Sequence, residues 1–178
     1  MDDADFACDA SRQGSLRVTT WQARSPTVAA MLNPALLASV ICAATEEYVR
    51  AGNEAMPWPL AFLAAPLVLH HETREALPRS TRSHWSNWVS EHVVLSAGFA
   101  GRAASLVEPV REGVRYALRT DSLRVSDNGG LIGGLVVRAR PAAVGDIAEI
   151  IKASGFVGKW LAKLDSPATA FALLGVAS

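Results

Sequence analysis

Apolar residues recur about every 3.6 positions along much of this chain, which is the period of a helix with one buried face. The best-defined example begins at Asn33-Pro34, where a capping side chain precedes a proline at the first helical position, and Ser25-Pro26 repeats this device. Gly52 is suited to end the helix. Its apolar stripe consists of Leu37, Val40, Ile41, Ala44 and Tyr48, and Ser39, Glu46 and Arg50 lie on the opposite side. The spacing predicts a core helix from Asn33 to just before Gly52.

The next segments are predicted to be helical as well. The stretch "PWPLAFLAAPLVLHHETREALP" (57–78) is apolar nearly all round until His70, which predicts a helix buried on several sides and closed by Pro78. Ser80 is predicted to cap the helix that follows. Two further helical segments, "VVLSAGFAGRAASL" and "VEPVREGVRYALRT", are predicted to divide near Glu108-Pro109.

A hairpin interrupts the helices. Ser122–Val125, then "SDNGG", then Leu131 onwards predicts two short antiparallel strands, because Asn-Gly and Gly-Gly supply the positive φ that tight turns need. Residues 141–164 are predicted to be helical, with Gly155 a weak point, and Asp165 or Ser166 is predicted to cap a last short helix. Near the N-terminus, "RVTTWQ" (17–22) is compatible with a short strand.

This order of elements predicts a mainly α fold with a small β-hairpin, an α+β domain with winged-helix character. Residues 1–16 are polar and acidic and are predicted to be a flexible tail. Residues 17–178 are predicted to form a single helix-rich domain. Within it, a winged-helix unit is expected at about 80–140 and C-terminal helices at 141–178, since a helix followed by a hairpin is the end of a winged-helix unit.

Composition adds a local charge asymmetry to this picture. The 178 residues carry 17 basic and 17 acidic side chains, so the chain as a whole does not attract polyanions. Residues 1–54 hold four arginines against seven acids, an excess of three negative charges, whereas 74–140 hold ten arginines against six acids, an excess of four positive charges. Fourteen of the 17 basic residues are arginine, which suits bidentate contacts with carboxylate or phosphate.

The cysteines and the N-terminus predict a reducing location. Cys8 and Cys42 form neither a disulfide framework nor a metal-ligand spacing. The start "MDDADFACDA" is acidic, unlike the basic first part of a signal peptide. The longest apolar run, Leu60–Leu69, is about half of the ~20 residues that a membrane helix needs. The expectation is a cytoplasmic protein without a membrane partner.

No motif in the chain predicts catalysis. "HHETRE" (70–75) lacks the second histidine that a zinc-protease helix places one turn on, and His84 and His92 are too isolated to complete a site by spacing. Solvated or capping histidines are the favoured interpretation. No nucleophile elbow or phosphate loop occurs, and the glycines of "SDNGGLIGG" favour a turn. The sequence therefore predicts a protein that is not an enzyme, with no catalytic residues, metal site or cofactor.

Most tryptophans are predicted to serve the core rather than a ligand. Trp85 and Trp88 are three residues apart on one helical face, and Trp160 lies in an apolar helical pattern. Trp58, between two prolines, is interpreted as a corner where the chain enters a helix.

A stripe of arginines is the candidate site. Arg111, Arg115 and Arg119 lie at i, i+4 and i+8 and so share one helical face, with Arg124 on the predicted hairpin and Arg138 and Arg140 after it. Such a helix and wing can contact phosphates in double-stranded DNA, or seat another protein. Glu108 and Glu112 on or near the same helix, with the neutral chain, favour a partner-facing surface over direct DNA reading.

Four blocks of the sequence resemble one known family. They are "NPALLASVICAA" (33–44), "PLAFLAAPLVLHHETREALPRSTR" (59–82), "GFAGRAASLVEPVREGVRYAL" (98–118) and "FVGKWLAKLDSPATAFALLGV" (156–176). In combination they look like the middle component of bacterial three-component ABC systems, over most of the chain from about residue 18. The resemblance is weakest over the linker-like residues 124–146.

The resemblance implies a role and its partners. Such components are encoded beside an SMC-like ABC ATPase and an effector in the same operon, in sets thought to act against phages or plasmids. The middle component is similar in role to the small subunits that bridge SMC ATPase heads. The resemblance therefore implies a non-catalytic adaptor that links the ATPase to the effector in antiviral defence. The arginine face of the predicted helix and wing also suits contact with double-stranded DNA within the assembled complex.

Overall fold

A central helix, α1 (Pro34–Arg50), organises the fold of the computed structural model, which describes residues 32–134 and 145–176. Its predicted ends are confirmed. The side chain of Asn33 accepts a hydrogen bond from the Ala35 N–H at 2.8 Å, and Gly52, at φ +105°, donates its N–H to the Val49 carbonyl.

Helix α1 is buried more completely than its apolar stripe predicts. All five stripe residues are buried, and four residues outside the stripe are buried too: Ala38, Cys42, Ala43 and Thr45. These are small side chains, so neighbouring helices can approach α1 from several sides.

The segment before Pro78 divides into three parts. A 3₁₀ turn (Trp58–Leu60) leads into α2 (Ala61–Leu69), and α3 (His71–Glu75) follows. The prediction of one helix up to Pro78 is wrong at His70, where the backbone is extended (φ −80°, ψ 115°). His70 caps α3, since its Nδ1 lies 3.3 Å from the Thr73 N–H nitrogen and 2.8 Å from the buried Thr73 hydroxyl oxygen.

The next helices are α4 (Trp85–Glu91), α5 (Val93–Ala97) and α6 (Phe99–Arg119). Ser80 does not cap α4 as predicted, because its hydroxyl accepts from the Arg82 N–H in a turn that precedes the helix. The predicted break near Glu108-Pro109 is also wrong, since α6 continues through the buried Pro109. Proline removes one helical hydrogen bond, and the packing of α6 against α1 and α2 outweighs that loss.

The hairpin is confirmed as β1 (Leu123–Val125) and β2 (Leu131–Gly133), paired antiparallel with Arg124 opposite Ile132. In the turn, Gly129 takes the positive φ of +79°. Met56 bridges β2 from the other side, where it exchanges both backbone hydrogen bonds with Leu131 at 2.7 and 2.8 Å. The order across this small sheet is therefore Met56, β2, β1, and β2 packs on α1.

Two C-terminal helices complete the described fold. Helix α7 (Asp146–Leu161) packs along α1, and α8 (Pro167–Leu173) begins after Ser166 at the predicted position. Gly155 does not interrupt α7. The tryptophan predictions are confirmed for Trp85, Trp88 and Trp160, which are all buried; α7 thereby contributes to the core beside α4.

The predicted fold class is confirmed, because the described residues form mostly helices and one two-stranded antiparallel sheet. The tail at 1–16, the strand at 17–22 and the Ser25-Pro26 cap lie outside the described residues, as do positions 138, 140 and 141–144. The division into a winged-helix unit and C-terminal helices stays a prediction. In the described part of the chain, no helix is both long and apolar enough to cross a membrane.

Candidate partner interface on helix α6 and the hairpin

The packing of α6 against α1 fixes which of its faces is outermost. Val110, Gly113 and Ala117 are buried on the inner side. A Cβ added at Gly113 would lie 2.6 Å from the Cβ of Leu37, so the two helix backbones approach closely there. This contact leaves little freedom for α6 to rotate, and its outer face is therefore held in one orientation.

The outer face carries the predicted arginines. Arg111, Arg115 and Arg119 are all exposed. With a rise of about 1.5 Å per residue, their Cα atoms follow one another at about 6 Å and span about 12 Å. The sequence prediction that the three share one face is confirmed by the continuous helix on which they lie.

Only part of this charge is neutralised within the described chain. Arg111 forms an ion pair with Glu108 one turn earlier on the helix. Arg115, Arg119 and Arg124 form no ion pair or hydrogen bond with any described residue. Arg119 lies in the last turn, where the helix dipole favours a positive charge. Three guanidinium groups thus remain available to an anionic partner.

Arg124 extends the positive surface onto the hairpin. It is exposed in the middle of β1, and its side chain lies on the opposite sheet face from the buried Leu123 and Leu131. The chain reaches β1 directly from the end of α6, through a turn in which the hydroxyl oxygens of Thr120 and Ser122 are 3.1 Å apart. Arg138 and Arg140, the other predicted members of the site, lie outside the described residues.

The histidines and acids do not gather into a metal site in the described chain, where no group of three or more His, Cys, Asp or Glu side chains could hold an ion. His70 is a helix cap, and the His71 Nε2 lies 3.4 Å from a carboxylate oxygen of Glu75 on the surface. These contacts match the capping and solvated roles favoured by the sequence.

An open groove of about 310 Å³ lies beside α4, away from the arginines of α6. Its lining includes Arg79, His84, Glu91 and the stacked rings of Trp88 and His92, whose centroids are 5.0 Å apart. The His92 Nδ1 lies 2.8 Å from the Trp88 carbonyl oxygen, so the ring also holds the junction between α4 and α5. This groove combines both signs of charge, from Arg79 and Glu91.

The sequence did not predict the exposure of two apolar residues, Val125 and Trp58. Val125 is 58% exposed at the end of β1. Trp58 is 57% exposed and packs edge-to-face on Phe62, with ring centroids 5.8 Å apart, so its predicted role as a corner of the chain leaves most of the indole in solvent. For Val125 the sequence signal is weak, since only strand register distinguishes an edge valine from a core valine.

Comparison with known families decides the assignment. The model of the ABC-three component (ABC-3C) system Middle Component 3 family matches residues 21–178, which include α6 and the hairpin. The chain belongs to this family. The resemblance found in the sequence is thereby confirmed, and this middle component is one part of a multi-component ABC system. Neither the curated proteins nor the solved structures provide a match.

Proposed function

We propose that this middle component is a non-catalytic adaptor that links an SMC-like ABC ATPase to an effector in a bacterial anti-phage or anti-plasmid complex. One observation carries the proposal: a chain of the middle-component family holds an oriented row of arginines whose charge is mostly not neutralised by the described residues. Such a row fits an acidic surface on a partner subunit.

The chemistry of arginine supports a protein partner. A guanidinium group pairs with a carboxylate through two parallel hydrogen bonds, and its planar fork loses little freedom when it does so. Arg115 and Arg119 are one turn apart, which matches carboxylates four residues apart on a partner helix. The adjacent Glu108 and Glu112 would repel phosphate, and the neutral net charge of the chain gives no long-range attraction to DNA.

The arrangement around the hairpin supports the winged-helix unit that the sequence predicts. A winged-helix unit places a short strand after its first helix against the second strand of the wing. Here Met56, which follows α1, bridges β2, and β2 pairs with β1 after α6. This order of strands is a specific structural basis for an alternative function. In that alternative, the protein binds double-stranded DNA through Arg111, Arg115, Arg119 and Arg124.

Assembly of the complex tests the adaptor. The tagged middle component is expressed with its neighbouring ATPase and effector genes, and the mass of the purified assembly is measured by light scattering. We expect a stable complex for the wild type and loss of at least one subunit for the double variant R115E/R119E. The control R79E/R82E makes the same charge change at two exposed arginines between α3 and α4.

The controls make the outcome decisive. Arg115 and Arg119 have no partner among the described residues, and a glutamate in the last turn opposes the helix dipole by about 1 kcal/mol at most, so the double variant should stay folded with only a small fall in its unfolding temperature. A wild-type protein that purifies alone under these conditions would contradict the adaptor. If R115E/R119E and R79E/R82E assembled equally well, the arginines of α6 would not be part of the interface.

A further inference from the structure

One edge of the hairpin has main-chain groups that no described residue uses. Ser126 donates its N–H to Gly130, and Gly134 donates its N–H to Ser122. In an antiparallel ladder every second residue pair is hydrogen-bonded. Arg124 and Ile132, which lie midway between the Ser126–Gly130 and Ser122–Gly134 pairs, are therefore also a hydrogen-bonded pair. The N–H and C=O of Val125 therefore point away from β2, and no described residue bonds to them.

A row of apolar side chains ends at this edge. Met56, Leu131 and Val125 lie directly opposite one another across the three chain segments, so their side chains share one face of the sheet. Met56 and Leu131 are 0% and 2% exposed, whereas Val125 is 58% exposed. The apolar row thus runs from the core towards solvent, and among the described residues none pairs with the outer edge of β1 at Val125.

The charge of Arg124 indicates what the neighbouring strand should contain. Arg124 lies on the other face of β1, one residue from Val125, and forms no ion pair within the described chain. A strand that placed an apolar residue opposite Val125 would place its next residue opposite Arg124. A carboxylate at that position would neutralise the guanidinium group.

We propose that an extended segment of another component of the same ABC-3C system pairs with the open edge of β1. The segment has an apolar residue that covers Val125, followed or preceded by an aspartate or glutamate that faces Arg124. Main-chain hydrogen bonds supply affinity in this mode of recognition and the alternate side chains supply specificity. The inference rests on the proposed adaptor function and names the kind of segment that the adaptor receives.

A second copy of this chain fits the edge less well. On β1, the residues whose N–H and C=O groups point away from β2 have odd numbers. If two copies paired antiparallel through this edge, odd-numbered residues would lie opposite odd-numbered ones, and even-numbered residues opposite even-numbered ones. Asp121 and Asp127, the acids nearest β1 in the sequence, can therefore never face Arg124 of the other copy. Depending on register, Arg124 would instead face a residue such as Ser126 or the other Arg124, and its charge would stay unpaired.

Proline at position 125 tests the edge without a change to the hairpin bonds. Because the Val125 N–H points outward, V125P removes a donor that no described residue uses, and edge strands tolerate proline at such positions. V125T keeps the N–H and nearly the same shape. The wild type and both variants are titrated into each of the other two components, purified separately, and binding is measured by calorimetry. We expect binding about tenfold weaker for V125P and within about threefold of the wild type for V125T.

A second variant keeps the test valid if proline disturbs the fold. The unfolding temperature of V125P is compared with that of R124P, which must break a bond between β1 and β2. If V125P is as destabilised as R124P, V125K replaces it, because lysine keeps the backbone donor but opposes strand addition at an edge. Wild-type affinity for a folded V125P, or for V125K, would overturn the inference and leave the adaptor intact. Failure of the wild type to bind the other components would overturn both.

Discussion

At Gly158 the backbone of α7 touches the backbone of α1. A Cβ at this position would overlap the Ala44 carbonyl group and lie 2.7 Å from the Ala44 Cα. The nearby Gly155 is less restricted, since a Cβ there would lie 3.2 Å from the Glu47 Cγ, which belongs to a flexible side chain. Two glycines of one helix thus have different roles, and the sequence analysis singled out only Gly155, the less restricted one.

The first prediction concerns this pair of glycines. G158A should lower the free energy of unfolding by about 1–3 kcal/mol, because one helix must move to accept the methyl group. G155A should raise it by about 0.5–1 kcal/mol, since alanine favours the helix and Glu47 can move aside. Urea unfolding measures both. Equal stabilities for the two variants would show that α7 does not approach α1 as closely as described.

Tyr48 gives a second prediction, on pH dependence. Burial raises the pKa of the Tyr48 hydroxyl above its ordinary value of 10.0. The folded state therefore holds this proton more tightly than the unfolded state, so stability is complete below pH 10 and falls as the pH rises beyond it. Y48F cannot ionise and should lose less stability between about pH 9 and pH 11 than the wild type. Parallel urea midpoints for both proteins over this range would contradict the prediction.

At the scale of elements, three tryptophans join α4, α7 and the segment before α4. Trp85 stacks on Trp160 with ring centroids 4.0 Å apart and planes 12° apart. The indole N–H of Trp160 donates to the Ser83 carbonyl and that of Trp88 to the Ala76 carbonyl, both at 2.7 Å. The buried Nε1 of Trp85 has no hydrogen-bond partner among the described residues. Two of the three rings therefore fix the segment that leads into α4.

This difference gives the third prediction. Replacement of each tryptophan by phenylalanine removes a similar ring area, but only W88F and W160F leave a carbonyl without its donor. We expect each of them to lower the free energy of unfolding by about 1 kcal/mol more than W85F does. Thermal unfolding of the three single variants measures the difference. A W85F variant as unstable as W160F would show that ring packing alone holds α4.

Local signals explain which elements the sequence could predict. The bounds of α1 follow from Asn33 and Gly52, and the hairpin follows from the turn residues before Gly130. Each of these residues sets the conformation or the hydrogen bonds of the backbone at or next to its own position. The continuity of α6 through Pro109 depends on contacts with other helices, which no local signal contains. His70 is the reverse case, since its capping bond to Thr73 ends an apolar run that the helical period alone would continue.

The candidate site, too, has features that the sequence could predict and features that only the fold reveals. Helical spacing predicts that Arg111, Arg115 and Arg119 share a face, and this needs only the period of α6. Whether an arginine keeps its charge available depends on neighbours such as Glu108, and the open edge at Val125 depends on strand register and on the bridge from Met56. The Glu108–Arg111 pair spans only one helical turn. The edge, in contrast, depends on Met56, β1 and β2, which are distant in sequence, so it could be found only in the fold.

At the scale of the whole molecule, salt dependence separates a protein partner from DNA. Each phosphate that a protein neutralises contributes about −0.9 to the slope of log affinity against log salt concentration. If Arg111, Arg115, Arg119 and Arg124 all contacted duplex DNA, the slope would be about −3.6. The ion pair of Arg111 with Glu108 and the equal numbers of acidic and basic residues oppose this outcome.

The fourth prediction follows from that comparison. For the purified middle component and a fluorescent duplex of about 20 base pairs, we expect weak binding with a slope shallower than −2 between about 50 and 200 mM salt. R115E/R119E should change this binding little, yet should prevent assembly with the other components. The opposite result has three parts: a wild-type slope near −3.6, a slope about 1.8 shallower for the double variant, and normal assembly of both proteins. It would show that the α6 face binds duplex DNA. In the first outcome Arg115 and Arg119 bind a protein partner, and in the second they bind DNA. Fluorescence anisotropy and light scattering, each applied to the wild type and to R115E/R119E, therefore decide between the two.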